Sequence, residues 1–157
     1  MGALLRLFSR KPLFSDAEMD LVLSNEDVSD WESGILDGYT FNIYQKNTRN
    51  YMGYVSLRMG ESPALYYLGH IGYRIEEKYR GHGYAARACA LILPFIQQLG
   101  FHSLVITTNV ENIASRKTCE HLSCTLERIA PVPEKYQPIC MGAKWKCRYI
   151  WRIPPRA

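Results

Sequence analysis

The sequence predicts one α+β domain built around a mixed sheet, and three observations carry that prediction. Tyr39–Lys46 alternates with period two, and after the turn "NTRN" Tyr51–Gly60 reads as the next strand, the two making an antiparallel hairpin. From 65 to 109 an apolar strand, a glycine turn, a helical pattern and a second apolar strand follow one another. That order is a βαβ unit, whose strands should lie parallel. The closing segment "KWKCRYIWRI" again has period two. At 157 residues the chain suits one domain with a full core, and it carries no repeat, low-complexity tract or linker.

Each element has its own basis. "MGALLRLFSRKP" holds a short apolar run broken by Arg6 and Arg10, too short for a signal peptide or a membrane span. Arg6 stands where the myristoylation pattern needs Ser or Thr, so the segment reads as a terminal strand or short helix. Asp16–Leu23 reads as a first strand. The polar, turn-rich "SNEDVSDWESGI" follows, with Trp31 and Ile35 at helical spacing. After the hairpin, Glu61–Ala64 reads as a loop around Pro63. Leu65–Ile75 reads as a long strand rich in aromatic and branched residues.

From Gly83 to Leu99 the period becomes helical through Tyr84, Ala88, Leu91, Phe95 and Leu99. Gly100 stands as a C-cap, and Pro94 should kink the helix. Phe101–Asn109 is a short apolar strand. A second helix begins at Asn112, an N-cap position, and runs to about Ser123. Cys124–Pro131 is a strand, and 132–142 is a loop with two prolines. In the last strand Lys144, Lys146, Arg148 and Arg152 alternate with Trp145, Cys147, Tyr149 and Trp151, which predicts one wet face and one dry face.

Hydrophobic residues make up 47% and charged residues 22%, as in soluble globular proteins. The net charge of +4 is modest and its basic residues are scattered, so the chain tolerates an anionic ligand without requiring nucleic acid. Five cysteines, none in a Cys-x-x-Cys pair, argue against a zinc site. They read as free thiols in a reducing cytosol, which makes the expected location cytoplasmic, with no metal and no membrane association.

The residues that point to chemistry are Arg80-Gly81-His82-Gly83-Tyr84-Ala85, where a strand feeds a turn and the turn feeds a helix. Glycine there permits unusual φ and lets a ligand approach the backbone. The first turn of the helix adds unpaired N–H groups and a positive dipole end, together a site for phosphate or pyrophosphate. A Walker loop needs Lys and Ser or Thr after its last glycine, where this chain has Tyr84-Ala85. The dinucleotide fingerprint needs three glycines and a later carboxylate, and strand 104–108 offers none.

Arg/Gln-x-x-Gly-x-Gly/Ala describes Arg80 to Ala85 at every fixed position, and it resembles the acetyl-CoA loop of the GNAT superfamily of N-acetyltransferases. "HIGYRIEEKYRGHGYA" resembles the central strand and pyrophosphate loop of the ribosomal-protein N-acetyltransferase branch, and "NVENIASRKTCEHLSCTLE" resembles the second CoA motif. The closest resemblance covers Leu65 to Glu127, within one domain of residues 1–157. It implies a mostly antiparallel sheet in which a bulge splays the central parallel pair between flanking helices.

It also implies roles for particular residues. Backbone at Tyr73, Arg74 and Ile75 would pair with the pantetheine arm of acetyl-CoA. Arg80 would add charge near the pyrophosphate, whose oxygens would take N–H groups from Gly81, His82, Gly83, Tyr84, Ala85 and Ala86. Asn112 would cap its helix, hydrogen-bond the pantetheine region, or do both. His82 reads as solvated filler, Tyr73 and Tyr84 as packing residues, and Arg116 and Lys117 as a solvated helix face within reach of the CoA phosphates.

The chemistry implied is direct attack of an amine on the thioester. Three residues stand as candidates for moving protons. His70 lies near where relatives keep a glutamate base. Cys119 replaces the tyrosine that many relatives use to protonate the leaving thiolate. Tyr149 lies on a strand that borders the acceptor cleft in relatives. Thr107 stands where some relatives keep a second glutamate, and Ser123-Cys124 replaces the family's Gly-Phe. The expected acceptor is a small-molecule amine or a peptide N-terminus, and a homodimer is compatible with the sequence. The alternative is a non-catalytic acyl-CoA-binding module, and a third reading is an interaction domain using exposed aromatics.

Overall fold

A computed structural model describes residues 11–24, 26 and 29–156; the amino-terminal strand or helix expected over the first residues lies outside them. Eight strands form one sheet: β1 (Phe14–Ser15), β2 (Met19–Leu23), β3 (Asp37–Gln45), β4 (Tyr51–Met59), β5 (Ile71–Ile75), β6 (Ser103–Thr108), β7 (Thr125–Pro131) and β8 (Trp145–Arg152). Their order is β1-β2-β3-β4-β5-β6-β8-β7, antiparallel throughout except for the β5–β6 pair. The helices are α1 (Pro63–Leu68), α2 (Tyr84–Leu91), α3 (Leu93–Gln98) and α4 (Ile113–His121). Among the described residues no helix is long and apolar enough to cross a membrane.

Register assigns the two faces of the sheet. Paired residues share a face and neighbours alternate. Phe41, Val55, Leu57, Ile71, Ile106, Cys147, Tyr149 and Trp151 form one face. They are buried against Ala88, Cys89, Ile92 and Ile96 of the α2–α3 segment and against Cys119 of α4, and this is the core. Phe95 packs edge-on against Phe41, with ring centroids 5.3 Å apart. The opposite face carries Thr40, Ser56, Arg58, Thr107 and Arg148.

That second face corrects two expectations. Leu65–Ile75 is not one strand. Ser62 accepts the N–H of Leu65 as an N-cap, Pro63 supplies a preset first helical residue, and 63–68 coils as α1 until Gly69 stops it at φ 82°. The strand begins only at Ile71. Nor is the predicted wet side of the last strand wet throughout, because α1 lies across its middle at Arg148. Arg148 is only 6% exposed, while Trp145, assigned to the dry face, is exposed.

The Arg148 guanidinium stacks 3.5 Å from the Tyr66 ring centre, donates to the Tyr66 carbonyl and pairs with Glu127. Thr107 Oγ1 donates to the carbonyls of Tyr67 and Leu68, and Arg58 Nη1 donates to those of Leu68 and Gly69. Every carbonyl that ends α1 therefore has a partner from the sheet beneath it.

Smaller corrections are local. The strand expected from Asp16 begins only at Met19 and a short strand precedes it, because Asp16 Oδ1 accepts the N–H groups of Glu18 and Met19 and turns the chain between β1 and β2. The helix expected over 83–99 breaks at Ile92 into α2 and α3, with Pro94 in the first turn of the second. No register shift marks β5. The shift nearest to it lies between Ile43 and Tyr44 of the β3–β4 ladder.

Candidate functional site

The site begins where β5 and β6 part. Their ladder has one paired position, Ile71 with Ile106, and the antiparallel neighbours β4 and β8 continue on either side. Just before it, His70 and Val105 bond twice: the His70 N–H to the Val105 carbonyl, and the Val105 N–H to His70 Nδ1. Beyond Ile71 and Ile106 the strands diverge. Tyr73 and Ile75 then face a gap on one side while β4 holds them on the other. Gly53 permits that second contact: a Cβ there would lie 2.0 Å from the Arg74 carbonyl oxygen.

The mouth of the gap is the glycine loop. Gly81 and Gly83 have φ of 85° and 75°, and space around both is open. Gly83 starts α2 in left-handed conformation, and the first helical bond runs from Arg87 N–H to the Gly83 carbonyl. Among the described residues the N–H groups of Gly81, His82, Gly83, Tyr84, Ala85 and Ala86 have no hydrogen-bond acceptor. Arg80 turns backward, its Nε donating to the Ile75 carbonyl at 2.8 Å and tying the loop to the end of β5.

The start of α2 is also held from the side. Tyr84 Oη donates to Glu18 Oε2 at 2.7 Å, and Arg87 bridges Glu18 and Asp16. The hydrogen bonds from Tyr84 and then Arg87 draw the Glu18 carboxyl below its ordinary pKa. Burial raises that of Asp16, but the N–H groups of Glu18 and Met19 together with Arg87 outweigh it and leave it lowered.

Over the gap lies α4. Asn112 Oδ1 accepts the Ser115 N–H as an N-cap. Tyr73 Oη lies 2.7 Å from Ser115 Oγ, donates to the Ser115 carbonyl at 3.2 Å, and is 4.0 Å from Cys119 Sγ. Ser115 was missed in the sequence, because only the fold brings it to Tyr73. Burial raises the Tyr73 pKa. The hydrogen bond with Cys124, followed by burial, raises that of Cys119, which is 0% exposed. Burial also pushes the neighbouring Cys89 thiol up to about 12. All five cysteines are free thiols.

The structure does not bring the three proton-transfer candidates together. Cys119 lies on the buried side of α4 beside Tyr73. The Tyr149 hydroxyl accepts from Arg116 Nε at 3.0 Å, and Arg116 also donates to the Val110 carbonyl, so this arginine braces α4. His70 lies on the opposite face of the sheet, its Nε2 3.4 Å from Glu61.

Glu61 opens onto a cleft of about 720 Å³ on the α1 face, whose walls include Tyr66, Tyr67, Tyr136, Arg128 and Lys135. The Tyr67 and Tyr136 rings stack with centroids 5.6 Å apart. Thr107 joins cleft and gap: it follows Ile106, where the strands part, and bonds the Tyr67 carbonyl. Among the described residues the gap thus ends on a loop of free N–H groups, and the aromatic cleft lies between α1 and β7 on the other face of the sheet.

Comparison with known proteins agrees with this geometry. The profile of the acetyltransferase (GNAT) domain matches residues 6–125. A putative ribosomal-protein-serine acetyltransferase from Vibrio cholerae shares the fold with a TM-score of 0.62 at 20% identity, covering 90% of this chain and 97% of the other. The ribosomal-protein-S5-alanine acetyltransferase from Vibrio fischeri aligns with a TM-score of 0.60 at 21% identity, over 74% of this chain and 62% of the other. The microcin C7 self-immunity acetyltransferase, solved with acetyl-CoA and AMP, aligns with a TM-score of 0.57 at 22% identity, over 74% and 61%. The chain thus spans less than two thirds of the last two proteins. A search of curated proteins finds no match. With the family profile covering most of its length and the parallel pair parting above a glycine loop, this chain belongs to the GNAT acetyltransferase family.

Proposed function

We propose that the chain is an acetyl-CoA-dependent N-acetyltransferase that moves an acetyl group to a primary amine, on a small molecule or a peptide N-terminus, by direct attack. The observation that carries this reading is the gap between β5 and β6, which ends on six consecutive N–H groups at the start of α2 that are free among the described residues. Pyrophosphate satisfies those donors, and the pantetheine arm fits the gap side of Tyr73 and Ile75, where Arg80 holds the Ile75 carbonyl. The thioester then lies in the gap on the helix-covered face, and the amine reaches it from the Tyr66–Tyr67–Tyr136 cleft on the other.

In the reaction the amine nitrogen lone pair forms the C–N bond, the C–S bond breaks and the CoA thiolate departs. The proton lost by nitrogen needs an acceptor. With Nδ1 taken by Val105, the neutral His70 ring carries its proton on Nε2, facing Glu61. His70 therefore acts through Glu61, the one carboxylate lining the cleft. Glu61→Gln is expected to lower kcat/KM for the acceptor by roughly 100-fold with acetyl-CoA affinity unchanged; equal activity would remove Glu61 from the mechanism.

A thiol held above its ordinary range is a poor proton donor and a poor nucleophile. Cys119→Ala is accordingly expected to keep turnover within about tenfold of the parent, well short of what a general acid contributes. Complete loss of turnover in a folded Cys119→Ala protein would make the thiol essential.

The test of the donor assignment is thermal unfolding with and without acetyl-CoA. At about 100 times its Kd, the ligand is expected to add roughly 2.7 kcal/mol. No stabilisation at any concentration would favour the interaction-domain reading.

A further inference from the structure

Among the described residues, two buried polar atoms have no hydrogen-bond partner: Thr108 Oγ1 and Asn109 Oδ1. Thr108 is 3% exposed. A buried polar atom without a hydrogen bond is costly, and native proteins seldom keep one that has no use. These two are consecutive in sequence, at the end of β6 where it has left β5.

Register gives their place. Ile71 and Ile106 are level and share a face, so Tyr73 and Thr108, two residues further along each strand, stand on that face on opposite sides of the gap. The Asn109 carbonyl accepts the N–H of Asn112, the cap of α4, which places the pair under the helix that Tyr73 bonds through Ser115. The chemistry of the pair is complementary. A threonine hydroxyl can donate, whereas an amide oxygen only accepts. The ligand that satisfies both offers a carbonyl oxygen and an N–H a short distance apart. An acylated cysteamine group has these two: a thioester carbonyl, and an amide N–H two carbons from the sulfur.

We propose that Thr108 and Asn109 line the acyl end of the donor site. The Thr108 hydroxyl donates to the thioester carbonyl oxygen, and Asn109 Oδ1 accepts the pantetheine amide N–H nearest the sulfur. This assignment rests on acetyl-CoA being the donor and adds side-chain recognition of the acyl group to main-chain recognition of the pyrophosphate. It also makes Thr108 a source of electrophilic activation, since the same hydrogen bond strengthens as charge develops on the carbonyl oxygen.

The test measures affinities for acetyl-CoA and free CoA by calorimetry on the parent chain and on Thr108→Val, Thr108→Ser and Asn109→Leu, with the unliganded unfolding midpoint of each. No acceptor is needed. Thr108→Val removes an orphan hydroxyl, so its unliganded midpoint should stay level or rise. Its affinity for acetyl-CoA should fall about tenfold, one charge-neutral hydrogen bond in a buried site, while its affinity for CoA is unchanged. Thr108→Ser should restore the parent preference. Asn109→Leu should weaken both ligands by the same factor. If the parent binds both ligands and Thr108→Val keeps the parent ratio of affinities, the inference is wrong and the donor reading survives. If the parent binds neither ligand, the donor reading fails and takes the inference with it.

Discussion

Gly83→Trp is expected to fold and to lose acetyl-CoA affinity by roughly 100-fold or more. The backbone at Gly83 has φ 75°, which costs an L-residue about 1–2 kcal/mol. No atom lies within 4 Å of a Cβ built there, so the fold, with a stability of order 5–15 kcal/mol, should survive. What the indole occupies is the space in front of the N–H groups that open α2. Hydrogen bonds to a charged group are worth about 1.5–3 kcal/mol each, and losing two of them approaches a 100-fold change. Calorimetry with acetyl-CoA, beside a urea midpoint, reads both halves. A folded Gly83→Trp protein that binds as tightly as the parent would remove the pyrophosphate from this loop.

Arg148→Met is expected to be the most destabilising single change on the α1 face, at about 3 kcal/mol. Methionine roughly fills the volume but leaves the Tyr66 carbonyl and the Glu127 carboxylate without their partner and forfeits the stacking on Tyr66. Removing one member of a fully buried pair costs about 3–5 kcal/mol. The value belongs at the low end, because Glu127 is partly open to solvent. Arg152→Met, on the same strand but exposed, should stay within about 0.5 kcal/mol of the parent. Urea unfolding of both variants separates them. Equal midpoints would mean that α1 is not anchored through Arg148.

These two positions show what was legible in the sequence. The glycine loop could be read because its parts are local: two glycines, a strand before and a helix after. The 37–59 hairpin, the parallel crossover and the Asn112 cap were legible for the same reason. Arg148 was misread because alternation says which residues share a face and not what covers it. The cover, α1, was itself hidden. Its Leu65-Tyr66-Tyr67-Leu68 core has strand-like composition, and the signals that decide it are the flanking Ser62-Pro63 and Gly69. The aromatic cleft was illegible because it exists only where α1 meets β7 and the loop after it. Ser115 and Thr108 were invisible for a related reason: one acquires meaning from Tyr73 across the fold, the other from lacking any partner.

The measurement that bears most directly on the whole account is thiol release from acetyl-CoA in the presence of a panel of amines, small molecules and peptides with free N-termini. Mass analysis of the products completes it. The account predicts release that depends on an amine, one acetyl group on nitrogen for each CoA freed, and loss of release in Gly83→Trp. Tight acetyl-CoA binding with no amine-dependent release from any member of the panel would contradict it and make this chain an acyl-CoA-binding module.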